Sequence, residues 1–254
     1  MSGLRVSLHA PLDPAADCSA LLDGNWTGLA PEALGRRPVA MPGRGDVPLA
    51  ELAEVSGEPD GTIRLAGDWS QAVRLGAGLV EGAVVVEGDV GDEVGVGMAG
   101  GSIEVHGRAG ARAGAAAPAA RRGMTGGELI VRGDAGAECG ALMRRGLVAV
   151  GGTVADHAGV GMIAGTLLAF GDVGPVPGLW SKRGSIVALG RVAIPSTYRF
   201  ACTYQPPHLR LLLRRLQTRY RLPVEARHLT GFYHRYSGDL AELGKGEILT
   251  WTAS

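Results

Sequence analysis

The chain has 254 residues, a formal net charge of zero and 46% hydrophobic residues, which fits one folded domain with extensions or two small domains. The balanced charge gives no reason to expect nucleic-acid binding. The three cysteines are far apart and form no CxxC pair, which argues against a disulfide framework and against a zinc or iron–sulfur site. Neither a secretion signal nor an apolar run of about 18 residues is visible, so we expect a cytoplasmic protein that does not enter a membrane.

The N-terminal part, residues 1–55, contains several prolines, the loop sequence DGNWTG and one short predicted helix near residues 31–34. It lacks the repeat that follows. We therefore expect an extended arm with little structure of its own, which lies against the rest of the chain or against a partner.

A glycine-bounded repeat occupies residues 56–194. Each unit consists of a glycine, five residues and a second glycine, with apolar residues at the second and fourth positions after the first glycine. The seven units begin at Gly61, Gly82, Gly101, Gly127, Gly146, Gly165 and Gly184. Their starts are separated by 21, 19, 26, 19, 19 and 19 residues, a period typical of solenoids. The predicted fold is all-β with short helical additions: a right-handed parallel β-solenoid of about seven Gly-rich coils.

Stacked units predict continuous apolar ladders inside the solenoid. Because alternate residues of a strand point to the same face, the second and fourth positions of every unit should line the core. A methionine lies three residues before four of the units, at Met98, Met124, Met143 and Met162. We interpret these side chains as filling an irregular corner of the core rather than as metal ligands. The single long interval contains ARAGAAAPAARRG, which predicts a loop insertion.

The outward positions of the predicted strands are polar in the early coils and apolar in the later ones, for example at Leu168, Val187 and Leu189. An apolar outer face must be covered. The C-terminal extension, residues 195–254, contains a predicted helix at about 207–222, ended by a proline. Its apolar stripe consists of Leu209, Leu212, Leu213, Leu216 and Tyr220. We expect this helix or a partner protein to cover the apolar face, and the remaining tail to form loops and one short strand.

The residues predict neither a catalytic nor a metal site. The run from Gly95 to Gly100 matches GxGxxG, but a strand rather than a helix is predicted after it, so it does not fit a dinucleotide-binding unit. The six histidines show no ligand spacing. We expect Cys139 to be a buried, unreactive thiol.

Three pairs of basic residues mark the one candidate site. They are Arg121, Arg122, Arg144, Arg145, Lys182 and Arg183. The second and third pairs each precede a new unit, so they should share one edge of the solenoid, and the first pair lies nearby in the insertion. The edge is either a solvated corner, neutralised by acids such as Asp134 and Asp172, or a stripe that binds a polyanion or an acidic partner.

Several segments carry a resemblance to a known family. GDVGDEVGVGMAGGSIEVHG, MRRGLVAVGG, MIAGTLLAFGDVGPVPG and TYRFACTYQPPHLRLLL together resemble the glycine-rich third subunit of formylmethanofuran dehydrogenase. They resemble still more the corresponding third subunit of the formyltransferase/hydrolase complex of methylotrophic bacteria. The glycine repeat is shared with the C-terminal domain of the glutamate synthase large subunit, whereas PPHLRLLL and the tail GDLAELGKGEIL make the resemblance more specific.

The resemblance implies a non-catalytic scaffold subunit of a one-carbon complex. Such a complex transfers a formyl group from formyl-tetrahydromethanopterin to a methanofuran-like carrier and hydrolyses it to formate. The implied partners are a formyltransferase subunit, a metal-dependent hydrolase subunit and a molybdopterin-enzyme-like subunit, and no cofactor is expected on this chain itself. Carriers of this class have glutamate-rich tails, so the resemblance makes the basic edge a candidate site for such an anionic tail.

Two alternative functions stay open at the level of sequence. The chain could be the third subunit of a formylmethanofuran dehydrogenase, which interconverts carbon dioxide and the formylated carrier. It could instead be a solenoid module like that of glutamate synthase, although glutaminase and flavin domains are absent from this sequence.

Overall fold

The computed structural model describes residues 3–24 and 26–252, and within these ranges the protein is built mainly of β-strands. The strands are β1 (Leu4–Leu8), β2 (Ala16–Asp17), β3 (Pro38–Met41), β4 (Gly45–Pro48), β5 (Ala53–Gly57), β6 (Thr62–Ala66), β7 (Ala72–Val73), β8 (Ala83–Val86), β9 (Ser102–Val105), β10 (Glu128–Val131), β11 (Leu147–Val150), β12 (Thr166–Ala169), β13 (Arg183–Ala188), β14 (Arg199–Tyr204), β15 (Phe232–Gly238) and β16 (Lys245–Thr252). The helices are α1 (Pro31–Gly35), α2 (Pro207–Tyr220) and α3 (Ala226–Thr230), with a 3-10 turn at Leu49–Glu51.

Each of the seven predicted repeat units contributes one strand to a parallel ladder, β6 followed by β8 to β13. The register is the predicted one, because equivalent positions of neighbouring units pair directly, as Ile63 does with Val84 and Val84 with Ile103. On a second side of the solenoid, each coil is joined to the next by a single parallel β-bridge. These bridges link Trp69, Val90, Ala109, Ala135, Val154, Val173 and Val192 in succession. Tight turns form the rest of each coil, and the prediction of a parallel β-solenoid is confirmed.

The interior of the solenoid is filled as the repeat predicts. The second and fourth positions of all seven units are buried. The four repeat methionines are at most 1% exposed, which confirms that they pack in the core. Glycines lie where neighbouring coils meet most closely: a Cβ atom on Gly100 would lie 2.1 Å from the carbonyl oxygen of Val80. Any larger residue at this position would therefore force adjacent coils apart.

The first end of the solenoid is closed by the N-terminal segment, which is more ordered than the expected arm. Strand β1 adds to β6 in parallel and to β5 in antiparallel fashion, so it continues the large sheet by two strands. The predicted short helix is confirmed as α1. Trp26 and Leu34 are almost completely buried. The physical reason for this order is that the first coil of a solenoid has no preceding coil and needs a cap.

The apolar outer face of the later coils is covered by this same chain. Helix α2, which ends slightly earlier than predicted, lies on it, and Leu168, Val187 and Leu189 are all less than 9% exposed. Leu213 and Leu216 of α2 are fully buried in the same cluster. Of the two covers predicted for this face, the helix is the one observed. The part of the face beneath α2 is therefore not exposed to a partner.

The tail differs from the predicted loops and short strand. It forms the antiparallel pair β15–β16, and β16 adds in parallel to β13 as the next level of the ladder. Ile248 and Leu249 are both fully buried, one in the solenoid core and one under α2. Strand β14 then pairs with β15 and ends the sheet. The sequence did not reveal this because the tail lacks the glycine pattern of the repeat.

Candidate functional site

The candidate site is the basic edge, defined by the six residues Arg121, Arg122, Arg144, Arg145, Lys182 and Arg183. Two of its pairs lie at one corner of the solenoid because neighbouring coils are joined there by backbone hydrogen bonds. The amide of Arg144 donates to the carbonyl of Met124 at 2.8 Å, and the amide of Lys182 donates to Met162 at 2.8 Å. The amide of Ile163 makes the corresponding bond to Met143 at 2.7 Å, so Ile163 occupies the level between the two basic pairs.

A shallow groove of about 410 Å³ lies along this corner. Two of the six predicted residues, Arg121 and Lys182, line it, whereas the other four do not. The insertion thus brings a cation from the third coil to the level of the later coils. The complete lining is Arg121, Leu142, Gly161, Ile163, Trp180, Lys182 and Glu242.

The walls of the groove come from a turn that repeats in each coil. Leu142 and Trp180 adopt left-handed backbone conformations, with φ of 57° and 58°, and Gly161 between them has a φ of 63°. A large side chain in this region costs on the order of 1 kcal/mol, and two early coils carry glycine at the equivalent position. The side chain of Trp180 is 57% exposed and forms an apolar wall beside Lys182.

Sequence reasoning missed Leu142 and Trp180. Both residues stand at a position that is glycine in two earlier coils, Gly78 and Gly97. This difference can be seen in the sequence only when the turns of successive coils are aligned with one another. Lys245 was missed as well. It pairs with Arg183 in the β13–β16 ladder and adds one more cation to the same corner.

The charges of the basic edge are not balanced by the acids expected to neutralise it. Asp134 accepts a hydrogen bond from the amide of Thr153 at 2.7 Å, and Asp172 forms an ion pair with Arg191 at 2.7 Å. The side-chain and backbone hydrogen bonds from Arg191 hold the pKa of Asp172 below its usual range. In residues 3–24 and 26–252, none of the six basic side chains forms an ion pair or a hydrogen bond with a carboxylate. The one carboxylate that shares the groove with Arg121 and Lys182 is that of Glu242.

A second cavity, of about 490 Å³, lies between the start of α2 and α3 and was not predicted. Arg210 and Arg214 line it together with prolines and leucines. His228 also lines this cavity. The hydroxyl of Tyr233 donates a hydrogen bond to the backbone carbonyl of His228 at 2.7 Å. Burial lowers the pKa of His228, so its ring is neutral at pH 7. This cavity offers cations and apolar walls but no nucleophile beside a base.

Two of the three cysteines lie in the protein core. Cys18 and Cys139 are buried, and burial raises the pKa of each to about 12. The burial expected of Cys139 is confirmed. Throughout the described ranges there is no group of three or more His, Cys, Asp or Glu side chains placed to hold a metal ion. The GxGxxG run is followed by β9 and not by a helix, which confirms that it does not open a dinucleotide-binding unit.

None of the helices that the structure describes has the length and apolar character needed to span a membrane. Fold and site together define a class of protein: a capped parallel β-solenoid with basic residues along one corner and a helix that covers its outer sheet. Proteins of this class present extended surfaces to other molecules.

Comparison with solved structures finds a chain of the formyltransferase/hydrolase complex FhcABCD from Methylorubrum extorquens, determined in complex with methylofuran. The similarity has a TM-score of 0.81 at 28% sequence identity and covers 98% of this chain and 100% of that chain. A scan against protein-family models finds no match, and a search of curated proteins finds none of significance. The expected resemblance to a chain of this complex is confirmed, and it extends from the N-terminal cap to the tail.

Proposed function

We propose that this chain is a subunit of a formyltransferase/hydrolase complex and that its role there is structural. In that role it holds together partners that move a formyl group from formyl-tetrahydromethanopterin to a methanofuran-like carrier and release it as formate in the cytoplasm. The partners are a formyltransferase subunit, a metal-dependent hydrolase subunit and a molybdopterin-enzyme-like subunit.

The observation that carries this proposal is the extent of the structural likeness. A shared solenoid alone would be compatible with a glutamate synthase-like module. The match instead includes the N-terminal cap and the C-terminal extension, and it covers essentially the whole of both chains. A non-catalytic role is further supported by the chemistry of the two cavities, because neither brings a nucleophile and a base together.

We also propose that the basic edge binds an anion, either the carboxylate-rich tail of the carrier or an acidic surface of a partner protein. Arg121 and Lys182 line one groove, in which the two cations outnumber the single carboxylate, that of Glu242. Exposed cations of this kind attract carboxylates and accelerate their association. Trp180 in the same groove offers an apolar surface to the non-charged part of the ligand.

Co-expression with the three proposed partner types tests the assignment to the complex. The full chain should co-purify with them in fixed stoichiometry, and formyl transfer and hydrolysis should require the partners. The purified chain alone should show neither reaction. Failure of the chain to assemble, or formyl transfer by the isolated chain, would contradict the proposal.

The basic edge is tested with the double variant Arg121→Glu and Lys182→Glu. Retention of a γ-linked glutamate oligomer, measured by titration at low salt, should fall by about 30-fold, since two exposed attractions of about 0.5 kcal/mol each become repulsions of similar size, a change of about 2 kcal/mol. The matched control is Arg108→Glu together with Arg191→Glu, which reverses two exposed arginines away from the groove. An equal loss of oligomer retention in both double variants would show that binding depends on the net charge of the protein and not on the basic edge.

A further inference from the structure

Strand β14 is an open edge of the large sheet. It lies at the end of the strand order, and within residues 3–24 and 26–252 it pairs with β15 alone. Half of its backbone amides and carbonyls therefore point away from the sheet without a partner strand. Five successive residues, from Arg199 to Thr203, are exposed, so no part of the described chain lies over this edge.

The two edges of the same sheet differ in the side chains that they expose. At the opposite edge, β5 carries the exposed Glu54 and is followed at once by Glu58 and Pro59. Charges and proline at an edge prevent other strands from pairing with it. Strand β14 likewise has one charged residue, Arg199 at its start, and is followed by Pro206 and Pro207, but it carries no acidic side chain. What distinguishes β14 from β5 is an exposed aromatic side chain, that of Phe200, whereas β5 carries no aromatic residue.

An aromatic patch lies beside the open edge, formed by Phe200, Phe232, His234 and Tyr236. The Phe200 ring contacts the rings of His234 and Tyr236 edge-on, with centroids 5.7 and 5.8 Å apart. Phe200 is 57% exposed and Phe232 is 38% exposed. The neighbouring Thr203 is joined to His234 by a hydrogen bond of 2.8 Å, so the patch is held in place against β15. Exposed aromatic residues next to free backbone groups are typical of surfaces that accept an added strand.

We infer that β14 accepts a β-strand from a partner protein, which extends the sheet across the boundary between the two proteins. The added strand carries an apolar side chain over Phe200 and a carboxylate opposite Arg199, whose guanidinium reaches only backbone carbonyls within the described chain. This inference rests on the proposed function, because the partner is another subunit of the same complex.

A second copy of this chain is a poorer occupant than an unlike strand. The pairing of β14 with β15 is irregular between Phe200 and Cys202, which places a bulge at the middle of the strand. Two-fold pairing of β14 with itself would bring two bulges together at the centre of the new ladder, where regular hydrogen bonding is needed most. A regular strand from another protein meets only one.

Amide hydrogen exchange provides the test without any substitution. The full chain is compared alone and in the complex formed with the co-expressed subunits. The outward amides of β14 should exchange about tenfold or more slowly in the complex, as new ladder hydrogen bonds form, while those of β5 should be unchanged. Equal exchange rates of β14 in both samples overturn the inference. Protection of β14 already in the isolated chain, together with a dimeric mass, overturns it in favour of self-association.

A pair of matched variants adds an independent readout. Phe200→Lys places a cation on the open edge, and Ser56→Lys places the same cation on an exposed residue of the opposite edge. Assembly should weaken by about tenfold or more for the first variant and stay unchanged for the second. Thermal unfolding checks that both variants fold, and if Phe200→Lys does not, exchange in the wild-type chain decides. If the wild-type chain does not assemble with the other subunits, both the proposed function and this inference are wrong. If it assembles but the amide exchange of β14 does not change, only this inference is wrong.

Discussion

Replacement of Leu213 by alanine probes how helix α2 seals the outer sheet. Leu213 is fully buried between the helix and the later strands. Truncation to alanine removes three carbon groups, each worth about 0.8 kcal/mol of transfer free energy. The cavity left behind adds to this cost, and we expect a total loss of about 3 kcal/mol in the free energy of unfolding.

The control for this substitution lies on the same helix. Leu211 is 69% exposed, so Leu211→Ala should change the unfolding free energy by less than about 0.5 kcal/mol. Both substitutions have the same effect on helix propensity, and this contribution cancels in the comparison.

Urea unfolding followed by circular dichroism measures the difference, with amide exchange of α2 as a local readout in case the helix detaches before the solenoid unfolds. Equal destabilisation by the two variants would refute the claim that the α2–sheet contact is a core of the isolated chain. So would an α2 whose amides exchange freely in the wild-type protein.

Two further predictions concern the solenoid interior and the cysteines. Gly100→Ala should destabilise the protein by at least about 2 kcal/mol, because the new Cβ meets a backbone oxygen at 2.1 Å. Gly28→Ala should be nearly neutral in the same thermal unfolding assay, since nothing lies within 4 Å of its Cβ position; similar losses in both variants would contradict the packing argument. A disulfide reagent at pH 8 should react rapidly with Cys202, which is exposed, and not with Cys18 or Cys139, whose thiol pKa values are raised to about 12. Rapid reaction of a second thiol under native conditions would show that the core opens.

The repeat strands were predictable because their positions depend on local pattern. Glycine at the corners and apolar residues at alternate positions occur in each unit, and each unit packs against a near-copy of itself. Once the spacing of Ile63, Val84 and Ile103 is known, their register across coils follows from the period alone. The helix was predictable for the same reason, since Leu209, Leu213 and Leu216 recur at helical intervals.

The ends of the chain followed a different logic. Strands β1 and β16 carry no glycine signature and join the ladder only because the terminal coils expose an unpaired edge. Sequence reasoning therefore gave an arm where there is a cap, and a loop where β16 forms. The destination of α2 was open too, because an apolar outer face can be covered equally well by the chain itself or by another protein. Contacts between distant segments decide such choices.

For the basic edge as well, some features followed from the sequence and others only from the tertiary structure. The sequence by itself determined the solenoid, its core and the shared corner of Arg144 and Lys182, because an exact period converts position in the chain into position in space. Only the tertiary structure decided which cations share a groove, since Arg121 reaches it through an insertion of no fixed period. It also decided that Trp180 walls that groove, that α2 closes the outer sheet and that β14 leaves one edge unpaired. These features depend on how the non-repeating segments pack against the repeat strands. Such contacts join residues that are distant in the sequence, so no local sequence pattern predicts them.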